Sequence, residues 1–163
     1  MRDDILWAPW RASFVLSKKE KGCVFCRRLK EKDSASNLIV HRGKLVFVIL
    51  NKFPYNAGHA LIVPNRHIGH LEQLRPDESL EFFELTRLAA KVIKKALKPQ
   101  SLNLGMNLGK ASGAGVPGHL HMHIVPRWTG DGNFMTAIAN TRTLPEALVD
   151  TASKLRQAWP TPE

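Results

Sequence analysis

In residues 118–125, GHLHMHIV, histidine recurs at every second position: His119, His121 and His123. On an extended strand alternate side chains share a face. Neighbours on that face sit roughly 7 Å apart, so the run predicts a row of imidazoles with Leu120, Met122 and Ile124 turned into a core. A merely polar strand face would be served as well by Lys, Thr or Glu. Imidazole titrates near pH 6.5 and can exchange protons, attack as a nucleophile or ligate a metal. Covalent catalysis, acid–base catalysis and chelation of a catalytic metal by the strand itself are the chemistries this row could serve.

The two cysteines, Cys23 and Cys26, form C-V-F-C. In a reducing compartment such a pair is half a zinc site or a redox pair. A redox pair belongs at a strand-to-helix turn of a βαβ unit, a pattern the flanking sequence lacks. A zinc site needs two further ligands, preferably histidines, and the chain has seven.

The surrounding segments must position these residues. Residues 38–41 (LIVH), 44–50 (KLVFVIL) and 59–64 (HALIVP) read as strands, with a Gly43 turn between the first two and a loop at 51–58 punctuated by Pro54 and Gly58. The clearest helix runs from Pro76 to Lys98. Leu85, Leu88, Val92 and Ala96 recur at spacings of three and four, Leu80, Phe83, Ile93 and Leu97 widen the stripe, and Pro99 stops it. Residues 101–107 alternate like a strand, and the Gly-rich GKASGAGVPG leads into the histidine run. Thr143 and Glu146 have capping-box spacing ahead of a short amphipathic helix ending near Trp159. These elements predict an α+β domain: a mainly antiparallel sheet, one long helix and a short C-terminal helix.

At 163 residues the chain fits a single domain. It has no apolar run long enough for a transmembrane helix. Its start, MRDDILWAPWRASF, lacks the apolar region of a secretory signal, so a cytoplasmic protein is expected. Lys and Arg outnumber Asp and Glu by 24 to 14, a formal charge of +10. Residues 18–32 hold seven of the cations against Glu20 and Glu31. Such charge is either a solvated basic surface or an attraction for nucleotides, polyphosphate and other polyanions.

The run H-L-H-M-H-I-V resembles the motif of the histidine triad (HIT) superfamily of nucleotide hydrolases and transferases. G-H-A-L-I-V-P and N-R-H-I resemble that family's upstream segments in the same order, and the likeness spans about residues 23–127. L-W-A-P-W-R at 6–11 and P-R-W-T-G-D-G-N-F at 126–134 resemble a prokaryotic branch that includes diadenosine tetraphosphate phosphorylases. The resemblance implies one HIT-like domain over 1–163, with 1–22 and 128–163 as branch-specific extensions.

It also implies roles. His121 would be the nucleophile, forming a covalent nucleotidyl-histidine, with His123 and His59 contacting the phosphate. Asn51 would hold the ribose hydroxyls. Asn107 and the backbone from Gly113 through Gly115 to Val116 would cradle phosphates. Cys23, Cys26, His67 and His119 would bind a structural zinc, with His70 a competitor for His67. Trp128 would stack on a base or merely pack, and Phe53 and Tyr55 would either line a base pocket or plug it. Many family members carry Gln or Ser four positions before the first triad histidine. Gly115 stands there here, so a side chain that could orient the leaving group or acceptor is absent.

The leading expectation is a nucleotidyl transferase that phosphorolyses diadenosine tetraphosphate to ATP and ADP, with inorganic phosphate as co-substrate and Mg²⁺ able to accompany the substrate. Hydrolysis of dinucleoside polyphosphates and cleavage of nucleoside phosphoramidates are alternatives within the class. A zinc-stabilised nucleotide-binding module without turnover is the alternative outside it. That module leaves His121 and His123 without a purpose, and the basic residues form no nucleic-acid-binding stripe. The family resemblance further implies a homodimer in which two sheets join.

Overall fold

The computed structural model describes residues 22–34, 36–131 and 146–160. The 6–11 segment, Asn133, Phe134 and Thr143, on which part of the sequence reading rests, lie outside them. Helix α1 (Val24–Lys30) leads into strands β1 (Ile39–Arg42), β2 (Val46–Leu50) and β3 (Ala60–Pro64). The long helix α2 (Pro76–Leu97) crosses to β4 (Ser101–Gly105), then β5 (Met122–Arg127) inserts between β3 and β4, and α3 (Leu148–Ala158) closes the described chain. The sheet order is β1-β2-β3-β5-β4. Every adjacent pair is antiparallel, which confirms the α+β expectation.

β2 and β3, VFVIL and ALIVP, are buried at every position. Both faces of these central strands are therefore covered, and β-branched residues suit such a setting. One covering layer is α2, which packs on β2, β3 and β5. It begins with Pro76 at its first turn, carries Asp77 and Glu78 there, and has Lys94 and Lys95 in its last turn, a charge order that complements the helix dipole. Lys98 ends it in the left-handed conformation (φ 49°), just ahead of Pro99.

The helix faces the sheet with Phe82, Leu85, Ala89, Val92 and Ile93. This corrects the expected stripe, because Leu80 and Phe83 are 68% and 57% exposed. Residues 82, 85, 89, 92 and 93 keep the period of 3.6, whereas positions 80 and 83 fall on the far side of the helix. Full burial of a side chain such as Phe82 or Ile124 stabilises by roughly 1.5–3 kcal/mol.

A second difference concerns the histidine run. The strand begins at Met122, so His119, Leu120 and His121 precede it. The Leu120 N–H instead donates to the Ile68 carbonyl at 2.6 Å. The backbone there pairs with the loop after β3 rather than with a ladder, and that loop is where His67 lies.

Candidate active site and metal centre

β3 and β5 are neighbours, with Leu61 opposite His123. This pairing brings His59, one residue ahead of β3, against His123: His59 Nε2 lies 2.9 Å from His123 Nδ1. Gly58 makes the placement possible. Its φ is +75°, and an added Cβ would stand 2.3 Å from Leu97 Cδ1, so glycine takes the turn into β3 without the strain that any other residue would bring.

Hydrogen-bond partners set the tautomers. The Tyr55 backbone N–H, which can only donate, reaches His59 Nδ1 at 3.0 Å. His59 therefore carries its proton on Nε2 and donates it to His123 Nδ1, and His123 in turn holds its proton on Nε2. Tyr55 stacks on His59 with ring centres 4.9 Å apart. His121 Nδ1 lies 2.8 Å from the His119 carbonyl, so Nδ1 carries the proton and Nε2 keeps its lone pair. His121 is buried, and burial holds its pKa below the usual histidine value, against the opposing pull of the His119 carbonyl. It is a neutral imidazole with a basic Nε2, the form a nucleophile needs.

His121 and His123 line an open, mostly apolar cleft, the kind of lining into which a few polar groups converge at small-molecule sites. Its apolar lining includes Val24, Phe25, Leu38, Ile49 and Leu61, and its polar lining includes Asn37, Asn51, Asn107, His121 and His123 with the cations Arg28 and Lys52. Gly115, Val116, Phe53 and Tyr55 also line it. Asn51 accepts the Phe53 N–H at 3.0 Å and stands 3.4 Å from His59 Nδ1. Gly113 and Trp128 are not among its lining residues. The Trp128 backbone joins the Asp131 turn, where Arg127 and Asp131 form an ion pair at 2.6 Å.

Cys23, Cys26, His67 and His119 converge, with all four ligand atoms within 4.8 Å of one another. Cys23 Sγ and His67 Nδ1 each stand 3.2 Å from His119 Nδ1. Cys26 Sγ lies 3.4 Å from His67 Nδ1 and 3.6 Å from His119 Nδ1. Tetrahedral zinc with Zn–S near 2.3 Å and Zn–N near 2.05 Å requires ligand separations of about 3.3–3.8 Å. The four separations given, 3.2–3.6 Å, lie close to that span, and two thiols with two imidazoles are the donor set of a closed zinc site. His119 Nε2 donates to the Pro64 carbonyl at 2.8 Å, which turns the Nδ1 lone pair inward, as an outer partner does for metal-bound histidine. Burial chiefly, with His67 and His121 adding, lowers the His119 pKa to about 4, so the ring is neutral. Burial, then the Cys23 thiol beside it, push the Cys26 thiol up; a divalent cation is what would make the pair thiolates. His70 is exposed, 4.0 Å from Glu72 and outside the cluster.

Sequence reasoning missed Phe25. Its ring centre lies 5.4 Å from that of His119 and 5.2 Å from that of His121, so it wedges the cysteine turn against both. An apolar residue held between the two cysteines was the available signal. Also unforeseen is the brace on the His67 loop. Arg66 donates to buried Glu78 at 2.9 and 2.7 Å. Gln73 Oε1 accepts the Gly69 and His70 N–H groups, each at 3.0 Å.

The chain thus presents, on an antiparallel α+β sheet, clustered histidines beside a mostly apolar cleft. A family model described as "HIT domain" matches residues 31–130, and the chain belongs to that family. A Mycobacterium tuberculosis protein named AP-4-A phosphorylase is 37% identical over 162 residues, covering 94% of this chain and 83% of that one. The Bis(5'-nucleosyl)-tetraphosphatase [asymmetrical] of Schizosaccharomyces pombe is 34% identical over 57% of this chain and half of its own. Both are named as enzymes, in line with the enzyme expected from the sequence. Among solved structures, a zinc-bound histidine triad family protein from Mycobacterium smegmatis superposes with a TM-score of 0.67 at 25% identity, covering 85% of this chain and 93% of that one. No helix among the described residues is long and apolar enough to cross a membrane.

Proposed function

We propose that the protein is a nucleotidyl transferase that cleaves dinucleoside polyphosphates, with phosphorolysis of diadenosine tetraphosphate to ATP and ADP as its reaction. The observation that carries this reading is the tautomer of His121, whose Nδ1 proton is spent on the His119 carbonyl at 2.8 Å while Nε2 keeps its lone pair. A base would pack against the apolar part of the cleft. Asn51, Asn107, Gly115 and Val116 all line the cleft; in this reading Asn51 would hold the ribose hydroxyls, and Asn107 with the Gly115–Val116 backbone would cradle the phosphates.

In the first step His121 Nε2 attacks the α-phosphorus. The P–N bond forms, and the P–O bond to the departing nucleoside triphosphate breaks. His123 Nε2–H, held in that tautomer through His59, donates a hydrogen bond to the charge that develops on the phosphoryl oxygens. In the second step an oxygen of inorganic phosphate attacks the same phosphorus, the P–N bond breaks, and ADP leaves with His121 restored. Splitting one displacement into two is the usual gain of covalent catalysis. The net charge of +10 suits a substrate with four phosphates.

Cys23, Cys26, His67 and His119 would hold zinc, which would supply a structural tie between the α1 turn and the loop before His121. No residue of this site requires a catalytic metal, and Mg²⁺ would enter only with the substrate. The homodimer belongs to the same reading: β4 is a sheet edge with Leu104 half exposed, and a second copy would cover it.

Chromatography of products from diadenosine tetraphosphate, with and without inorganic phosphate, tests the proposal. ATP plus ADP formed only with phosphate supports it. ATP plus AMP without phosphate makes the protein a hydrolase, and no turnover in either condition removes this substrate.

A further inference from the structure

The cleft wall formed by Asn37 and Leu38 has an unusual backbone. Leu38 is a non-glycine residue at φ +60°, a conformation that costs a leucine about 1–2 kcal/mol. Its side chain is nevertheless 8% exposed and lines the apolar part of the cleft. Something outside the corner must hold it there. The β1–β2 register also shifts just beyond this corner, between Ile39 and His41.

Arg156, from α3 and more than a hundred residues away in sequence, reaches this corner. Its Nε–H donates to the Ile39 carbonyl at 2.7 Å, and Nη2 donates to the Ser34 carbonyl at 3.0 Å and to Asn37 Oδ1 at 3.5 Å. Asn37 Oδ1 also accepts the Ile39 N–H at 3.1 Å, and the Leu50 N–H closes on the Leu38 carbonyl at 2.9 Å. One guanidinium thus ties together the residues on both sides of Leu38. Trp159, three residues further along, stacks on His41 of β1 with ring centres 4.6 Å apart. α3 is fastened to the far end of β1 as well.

We infer that Arg156 is a positioning residue for substrate: it holds the left-handed Leu38 corner so that the leucine side chain forms the wall against which the base packs. The inference rests on the proposed nucleotide reading of the cleft and gives the C-terminal helix a purpose in it. Arg156 does not touch the reacting atoms, so its loss weakens nucleotide binding and spares the chemical step.

Calorimetric titration with AMP, a ligand that needs no turnover, tests this together with steady-state kinetics. Arg156→Ala is expected to bind AMP about tenfold more weakly and to raise KM similarly, with kcat within threefold of the wild type. Arg156→Lys, which keeps a donor and disturbs the helix least, is expected to fall between the two and serves alone if Arg156→Ala does not fold. Because the arginine acts through Leu38, the double variant Arg156→Ala/Leu38→Ala should bind no more weakly than Leu38→Ala. Unchanged AMP affinity in a folded Arg156 variant, or penalties that multiply in the double variant, would overturn the inference alone. Wild-type protein that fails to bind AMP would overturn both the inference and the reading of the cleft. Wild-type protein that binds AMP without any turnover would remove the catalytic reading and leave this one standing.

Discussion

The carbonyl of His119, a residue of the Cys₂His₂ cluster, accepts the Nδ1 proton of His121 at 2.8 Å. One short backbone contact thus fixes the tautomer of the imidazole proposed as nucleophile, and the position of that carbonyl depends on where the cluster holds His119. Phe25 adds a second tie, lying within 5.5 Å of both rings by its centre. A structural metal at the cluster would in this way reach the chemistry without taking part in it.

Metal removal follows directly. Chelation, or Cys26→Ser, should lower the melting temperature and the activity together, and restored zinc should recover both in the chelated wild type. Metal analysis is expected to give one zinc per chain. Full activity retained after the zinc has been removed would break the connection between cluster and nucleophile.

Replacing His59 tests the proton arrangement. His59→Ala removes the donor to His123 Nδ1, so the tautomer of His123 is no longer fixed. We expect kcat to fall about 10²-fold, the lower range for a positioned acid–base group, with KM changed less than threefold. The opposite pattern, a raised KM with kcat retained, would make His59 a binding residue.

Glu78 gives a pH-dependent stability. Hydrogen bonds from Arg66 first, then from Arg75, hold its carboxyl at about 2, below its ordinary 4.5. The folded value is depressed, so the contribution is fully present above pH 4.5 and is lost as the pH falls toward 2. Melting temperatures of wild type and Glu78→Gln should therefore differ most near neutral pH and converge between pH 4.5 and 2. A gap that persists at pH 2 would show that charge is not the cause.

Gly58→Ala should cost about 1–3 kcal/mol, because it forces a left-handed residue and drives a Cβ toward Leu97. Leu97→Ala in the same chain should recover the steric part and leave the conformational part. Chemical denaturation of the single and double variants measures both.

Much of this was legible in the sequence because it was local. The strands around VFVIL and ALIVP and the start and stop of α2 follow from local pattern; the set Cys23, Cys26, His67 and His119 came only from the family resemblance, and the fold brings the four residues together. What escaped depended on partners distant in the chain. Phe83 seemed to belong to the apolar stripe, but a shift of one position on a helix is 100°, and Phe82 faces the sheet. The alternation of the histidine run predicted a continuous strand. The backbone at Leu120 pairs with Ile68 instead, a contact no local pattern encodes. Arg156 drew no reading from the sequence, since nothing there links it to Ile39.

The central claim is that His121 carries the nucleotidyl group. It is tested most directly by mixing the enzyme with diadenosine tetraphosphate in the absence of phosphate, quenching within milliseconds and mapping the protein by mass spectrometry. The account predicts one adenylyl group on His121, discharged as ADP when phosphate is added, and no adduct in His121→Ala. Turnover with no adduct at any time, or an adduct on another residue, would contradict it.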